Sequence, residues 1–465
     1  MSLLLLACSC NPFKPAVRTA PEGELPKSYA LYEAGPEHPD RWWKSFNDPE
    51  LDQLIRKALS GSFTLREAWA RLDQAKAQAV KSGSALYPDL NLDAGALRGR
   101  RHNEGDTGSS TNTVESYAIG LVSSYELDLW GRVRAEKEAS DLTAVATRED
   151  VNTAAMTLAA EVAERWVNII SQRMQKRLLE KQLENNRTYL ELVLLRFRKS
   201  IVSALDVYQQ QQVVERVKAE IPLVEAREQL LLHELALLLG SPPRTPLKIT
   251  RISLPAVDQI PDTGIPADLI AKRPDVRGAG LKLRSADWQV AAARANRLPA
   301  IRLTAEASYG SDDIDLIFDN WLLSLAGNLV APLFDGGMRA AEVDRSRALV
   351  DERLWAYRRA VLTALKEVED ALIREEKQRQ HIMAIGLQVE AARKALDEAG
   401  ERYLKGLNDY LPVLTQLLSV QNLERDVIER RAELLVARVS LYRALGGSWM
   451  DELEPSLGYA QPSKE

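Results

Sequence analysis

Cysteine is nearly missing from this 465-residue chain: Cys8 and Cys10 stand together at the start and none follows. A disulfide framework and a thiolate metal site are thereby excluded from the body of the protein. Helix breakers are missing where most folds would turn. Between Gly131 and Gly240 there is no glycine, and Pro222 is the lone proline. Aromatic residues make up only 6% while charged residues reach 27%, a balance typical of long helices with solvated faces. There is no excess of positive charge: the net charge of −5 argues against a nucleic-acid surface. No apolar run reaches the roughly 18 residues that a membrane helix needs. The four histidines (His38, His102, His233 and His381) lack metal spacing. Neither a phosphate-cradling glycine loop nor an H-E-x-x-H or G-x-S-x-G motif occurs. Nothing here points to an enzyme or calls for a metal or a soluble cofactor.

What is present is a sequence written twice. At a constant offset Arg196 falls on Arg402, Lys199 on Lys405, Leu205 on Leu411, Val207 on Val413, Gln210 on Gln416 and Val214 on Val420. The same offset pairs Gly131 with Gly337, Glu136 with Glu342, Glu161 with Glu367 and Gly240 with Gly446. This is an internal duplication. In the first copy Val151, Ala155, Leu158, Val162, Trp166 and Ile169 recur at helical spacing. The pattern predicts one helix from Arg132 to about Lys199, about 100 Å long at 1.5 Å per residue. Ser203 reads as the N-cap of a second helix that ends at Leu239, with a kink or local break at Pro222. The second copy predicts a long helix from Arg339, a turn near Gly406–Asp409, and a helix ending at Gly446. Helices of this length pair as coiled coils.

Ahead of each long helix the period changes to two. Tyr117, Ile119, Leu121, Tyr125, Leu127 and Leu129 alternate with small or polar residues, as do the residues from Leu90 to Leu97. Ile301–Tyr309 and Trp321–Val330 repeat the pattern. The spacing predicts two β-hairpins whose strands suit a membrane barrel, which needs about 9–11 residues per strand. Arg98–Thr113 and Ser311–Asn320 read as polar loops joining the strands on the outer side. Trp130 and Trp321 fall at strand ends, where aromatic belts sit. The same alternation equally suits a pair of half-buried hairpins packed on helices. If the strands span a membrane, four cannot close a barrel and lipid tolerates no open edge, so several chains must share one. Three chains give twelve strands and a pore; two give eight, whose interior side chains fill.

The start, Leu5-Leu6-Ala7-Cys8, reads as a lipoprotein box, with Cys8 the residue to be lipidated and Cys10 the second choice. With this box come "DRWWKSFNDPELDQLI" (Asp40–Ile55), "YELDLWGRVR" (Tyr125–Arg134) and "KRPDVR" (Lys272–Arg277). Next are "PLFDGGMRAAEVDRSRA" (Pro332–Ala348) and "YRALGGSW" (Tyr442–Trp449). In that order, over nearly the whole chain, the sequence resembles the outer-membrane efflux proteins, the TolC-like factors, in their lipoprotein branch. The resemblance implies a mostly α fold with membrane β: a trimeric twelve-stranded outer-membrane β-barrel continued by an α-helical coiled-coil barrel across the periplasm. It implies a homotrimer acting as exit duct of a tripartite pump, with a periplasmic adaptor and an inner-membrane pump of the resistance-nodulation-division type as partners. Outer-membrane lipid is the remaining partner, with diacylglycerol and an N-acyl chain expected on Cys8.

On this reading residues 1–10 are the signal remnant and anchor, and 11–60 an N-terminal equatorial segment. Residues 61–240 form the first repeat, with a β-hairpin over 88–130 and a helical hairpin over 132–239. After a linker at 241–270, residues 271–446 form the second, with hairpins over 299–333 and 339–445; 447–465 are the tail. The resemblance also places a gate at the helical turns. Asp206 matches an acidic residue just past the first turn and Tyr403 its tyrosine partner. A basic partner on the second turn would fall on Asn408, beside Asp409, and an acidic ring residue on Thr415, so both of those charges are missing here. Asp206 then holds the gate by hydrogen bonds to groups such as Tyr403, or simply caps its own helix at Ser203. Lys199, Ser200, Ser203, Lys405 and Gly406 are the expected adaptor-contacting tip. A duct for type I protein secretion fits the same sequence. A periplasmic adaptor or tether fits less well, since it has no use for alternating strands of membrane length.

Overall fold

The computed structural model describes residues 12–16, 25–31, 40–105 and 108–455. Cys8 and Cys10 lie outside the described residues, and with them the expected lipid anchor. In chain order, α1 (Pro49–Gly61) and α2 (Phe63–Ser84) lead into β1 (Asn91–Gly105) and β2 (Gly108–Leu127). Next come α3 (Arg132–Arg198), α4 (Ala204–Leu238), α5 (Asp268–Lys272) and α6 (Pro274–Ala295). The chain then forms β3 (Ala300–Ser311), β4 (Trp321–Val330), α7 (Met338–Leu404) and α8 (Tyr410–Leu445). Among the described residues no helix is long and apolar enough to cross a membrane.

The duplication keeps its register in the long helices. α3 and α7 are 67 residues each, and Arg132 and Ala204, which open α3 and α4, correspond to Met338 and Tyr410, which open α7 and α8. The stripe Val151, Ala155, Leu158, Val162, Trp166 and Ile169 is buried throughout. α4 runs unbroken through Pro222, so the local break does not occur. The proline itself is exposed, but Val217 before it and Val224 after it are both buried in one core cluster. Packing on both sides holds the helix across the hydrogen bond that proline cannot donate.

The chain divides into two compact units that cut across the repeats, each drawing on both copies. One holds chiefly Arg71–Arg148 and Gly278–Arg359, and with them the whole sheet. The sheet is antiparallel, in the order β1-β2-β3-β4. Its register aligns one face across all four strands: Leu92 with Leu121, Leu121 with Ala307, and Ala307 with Leu323. Leu127, Ile301 and Leu329 share that face at one end, and Tyr309 and Trp321 at the other. The opposite face carries Asp93, Gly120, Ser308, Glu126, Arg302 and Asn328. The apolar face is open to solvent in the single chain, with Leu323 at 71% and Leu325 at 80% exposure.

One element differs from the sequence reading. Arg98–Thr113 is no loop: β1 and β2 stay paired without a slip up to Gly105 opposite Gly108, far beyond the last β2–β3 pair at Tyr117 and Ser311. Cross-strand contacts hold this polar ribbon, Arg98 to Glu115 at 3.0 Å and His102 Nδ1 to Thr111 Oγ1 at 2.9 Å. Such pairs stabilise a ladder without any apolar alternation.

At the strand-to-helix junctions acidic side chains cap the long helices. Asp128 accepts hydrogen bonds from the backbone N–H groups of Val133 and Arg134, and Asp335 from those of Gly337 and Arg339. These bonds satisfy orphan donors of the first helical turn.

The other unit joins Gly23–Ala70, Glu149–Arg277 and the chain from Ala360 onward. In it the aromatic motifs near the two ends of the chain meet. Trp42 stacks on Tyr442 at 5.4 Å, and the Trp43 ring stands edge-on to Trp449 at 4.9 Å. The "KRPDVR" stretch is a pair of arginine clamps. Arg273 binds Asp275, Glu367 and the Ala444 carbonyl, while Arg277 bridges Glu149 and Asp451. Deeper still, Glu375 is fully buried and receives Arg438 at 2.5 Å.

Candidate functional site

The expected site residues gather at two turns within the second unit, one between α3 and α4 and the other between α7 and α8. Both turns have the same backbone. After α3, Ser200 N–H donates to the Phe197 carbonyl and Ile201 N–H to that of Arg196. After α7, Gly406 N–H donates to the Tyr403 carbonyl and Leu407 N–H to that of Arg402. These are paired Schellman closures, which need a left-handed residue just past the helix. Gly406 supplies it at φ 73°, and Ser200 adopts it at φ 58° despite its Cβ.

The entries to the returning helices differ. Ser203 caps α4 with a complete capping box: its Oγ accepts from Asp206 N–H, while Asp206 Oδ2 accepts from both the Ser203 N–H and hydroxyl at 3.0 Å. Asp206 therefore does cap its helix. Asp409 occupies the equivalent position on α8 but makes no side-chain cap bond. Asn408 Nδ2 donates to the Asp409 carbonyl, and its Oδ1 is buried without a partner among the described residues. Thr415 is exposed on α8 and its hydroxyl donates to the Leu411 carbonyl. Lys405 pairs with Glu401 at 3.1 Å, and Lys199 and Ser200 are exposed at the first turn.

Tyr403 does not bond Asp206; its Oη is buried with no hydrogen-bond partner among the described residues. The ring instead lies under the Arg196 guanidinium at 4.4 Å and beside Tyr410 at 5.4 Å. Burial raises the Tyr403 hydroxyl pKa, Arg196 opposes that rise and Asp206 adds to it. The reason is geometric: the Asp206 carboxylate is already turned back onto Ser203.

The contact that ties the two hairpins together at this end involves residues the sequence reading passed over. Tyr410 Oη donates to Gln210 Oε1 at 2.7 Å, and Gln210 Nε2 donates to the Asn186 carbonyl at 2.8 Å. Asn186 and Gln421 exchange side-chain bonds at 3.1 and 3.3 Å, and Gln182 donates to the Gln421 carbonyl. Arg425 closes the ladder on Glu220 at 2.8 Å. Asn186, Gln210, Gln182 and Gln421 are all buried, and helices α3, α4 and α8 each contribute. Around the ladder Val193, Val213, Val217, Tyr403 and Val413 form one apolar cluster. The available signal was Asn and Gln at stripe positions, which in a coiled coil fix register. Among the described residues no group of three or more His, Cys, Asp or Glu could hold a metal.

A sheet with one apolar face and membrane-length strands, joined in one chain to two hairpins of very long helices, defines a class: outer-membrane channels with an α-helical extension. The family described as outer membrane efflux protein matches residues 54–241 and 265–447. A pyoverdine export outer membrane protein of Pseudomonas putida, OpmQ, is 34% identical over 97% of this chain and 96% of its own length. Outer membrane protein OprJ of Pseudomonas aeruginosa is 30% identical over 97% and 95%. Among solved structures the outer-membrane channel OprN superposes with a TM-score of 0.87 at 28% identity, covering 94% of this chain and 99% of that one. The chain belongs to the outer membrane efflux protein family.

Proposed function

We propose that three copies of this chain close a single twelve-stranded barrel through the free edges of β1 and β4. The assembly is the passive exit duct of a tripartite efflux pump. The observation that carries this reading is the sheet, apolar on one face across all four strands and, among the described residues, unpaired at both edges. An apolar face of this height suits lipid, and lipid forbids open edges. The inner-membrane pump, of the resistance-nodulation-division type, supplies the energy and a periplasmic adaptor couples it to the duct. The conducted solutes are small molecules. Relatives named for pyoverdine export and for toluene efflux support a siderophore-like or solvent-like cargo. Lipidation of Cys8 adds a second hold on the outer membrane beside the barrel.

The helical turns form the periplasmic gate. Threefold symmetry makes a ring of each residue there, and rings of polar side chains set what a narrow pore passes. Asp206, Tyr403, Asn408, Asp409 and Thr415 belong to this constriction. Lys199, Ser200, Ser203, Lys405 and Gly406 face the adaptor, beside apolar side chains left exposed at both turns (Leu205, Tyr208, Leu407 and Leu411). The test is mass and conductance. In detergent the protein should have the mass of three copies, and in planar bilayers a low resting conductance. Asp206→Ala should raise that conductance and Ser203→Ala, which removes the hydroxyl half of the capping box, should not. A monomer without conductance refutes the duct, and an equal rise in both variants reduces Asp206 to a helix cap.

A further inference from the structure

The β1–β2 ribbon beyond the sheet carries a row of arginines whose facing is set by the ladder. Successive residues of a strand point to opposite faces, so Arg98 and Arg100 share the face of Leu92, Ala94 and Ala96. That is the apolar face, and the ribbon leaves it just past an aromatic margin made by Tyr117, Tyr309 and Trp321. Arg101 lies on the opposite face. Arg98 remains 78% exposed at its side chain although it touches Glu115. Arg100 stands opposite Thr113 and has no carboxylate partner among the described residues.

Cations placed immediately beyond an apolar belt, on the side that faces lipid, meet the headgroup layer. Guanidinium groups bind phosphate oxygens by paired, charge-assisted hydrogen bonds. We infer that Arg98 and Arg100 form a binding site for the phosphates of an outer-leaflet lipid headgroup, one such site per chain. This rests on the sheet being the membrane-spanning part. The ligand class is a phosphorylated, acylated glycolipid whose chains lie along Leu92, Ala94 and Ala96 while its phosphate meets the arginines. On that face Glu115 pairs with Arg98 and Glu104 stands further out at the ribbon's tip, so among the described residues the exposed Arg98 keeps one carboxylate neighbour and Arg100 has none. Asp312, Asp313, Asp315 and Asp319 all lie between β3 and β4, at the far side of the sheet from β1.

The experiment titrates fluorescent bisphosphorylated lipid A into the full-length protein in detergent, with dephosphorylated lipid A as control. The double variant Arg98→Gln, Arg100→Gln should weaken binding by about fivefold for each arginine. Arg101→Gln, on the same strand but the other face, should leave it unchanged, and the dephosphorylated lipid should bind wild type as weakly as it binds the double variant. Equal weakening by Arg101→Gln overturns the inference, as does equal affinity for the dephosphorylated lipid. Arg100→Gln alone, which breaks no ion pair within the chain among the described residues, should weaken binding about fivefold, and unchanged binding by that variant also overturns the inference. Failure of the membrane reading shows separately: wild type would then not float with phosphatidylcholine vesicles.

Discussion

Two tyrosines at the helical tips have opposite expected responses to the same change. Tyr403 and Tyr410 are buried to 3% and 1% exposure, with ring centroids 5.4 Å apart. Tyr410→Phe removes the donor to Gln210 Oε1, a bond of 2.7 Å in a side chain with no exposure at all. The amide of Gln210 is held in place by Asn186, so the orphaned oxygen cannot turn to water. A buried acceptor left without a partner costs about 1–3 kcal/mol per chain. Tyr403→Phe removes a hydroxyl that has no partner among the described residues, so it should be neutral or stabilise by up to about 1 kcal/mol. The assay is hydrogen exchange of the amides in the first turns of α4 and α8. Tyr410→Phe should speed local opening by roughly 5–150-fold, and Tyr403→Phe should not speed it at all. The same order should appear in bilayer conductance. If Tyr403→Phe loosens the tip as much as Tyr410→Phe, its hydroxyl is bonded in the assembly and the accounting by single chain is wrong.

Ser200→Gly should stabilise the first turn by about 0.5–1 kcal/mol by relieving a left-handed serine, while Gly406→Ala should cost about 1 kcal/mol. An added Cβ at Gly406 meets nothing within 4 Å, so melting curves of the pair isolate the backbone term. Glu375→Leu leaves Arg438 uncompensated at 4% side-chain exposure and should destabilise by about 3–5 kcal/mol. Adding Arg438→Met should recover most of that loss in the melting temperature. Burial raises the hydroxyl pKa values of both Tyr403 and Tyr410. Their folded forms thus hold the proton more tightly, and the linked stability is present below the ordinary tyrosine pKa of about 10 and lost above it. Tyrosinate absorbance and conductance should therefore rise together only in strong alkali, and a rise near neutral pH would refute the linkage.

Much of this architecture follows from the order of the residues. The absence of glycine and all but one proline between Gly131 and Gly240 leaves the chain nothing but a long helix, a turn and a second helix. Alternation over Tyr117–Leu127 and Trp321–Val330 determines which face of the sheet is apolar, because a strand's side-chain period is two. The duplication shows that both halves follow one plan, and α3 and α7 match it residue for residue. Ser203 and Asp206 are legible as a cap because a capping box is local, three residues from end to end.

Tertiary structure decided what depends on distant partners. The strand from Arg98 to Gly105 carries no apolar period, and only the facing residues 108–115 make it a strand. Whether Pro222 breaks α4 depended on Val217 and Val224 finding a core. Glu375 looks like one more charge on a solvated helix until Arg438, 63 residues away, is placed against it. Gln210 looks like a surface glutamine until Tyr410 and Asn186 close over it from other helices. In each case the free energy comes from burying a polar or charged group with its partner. A sequence shows the group, and only the fold shows the partner.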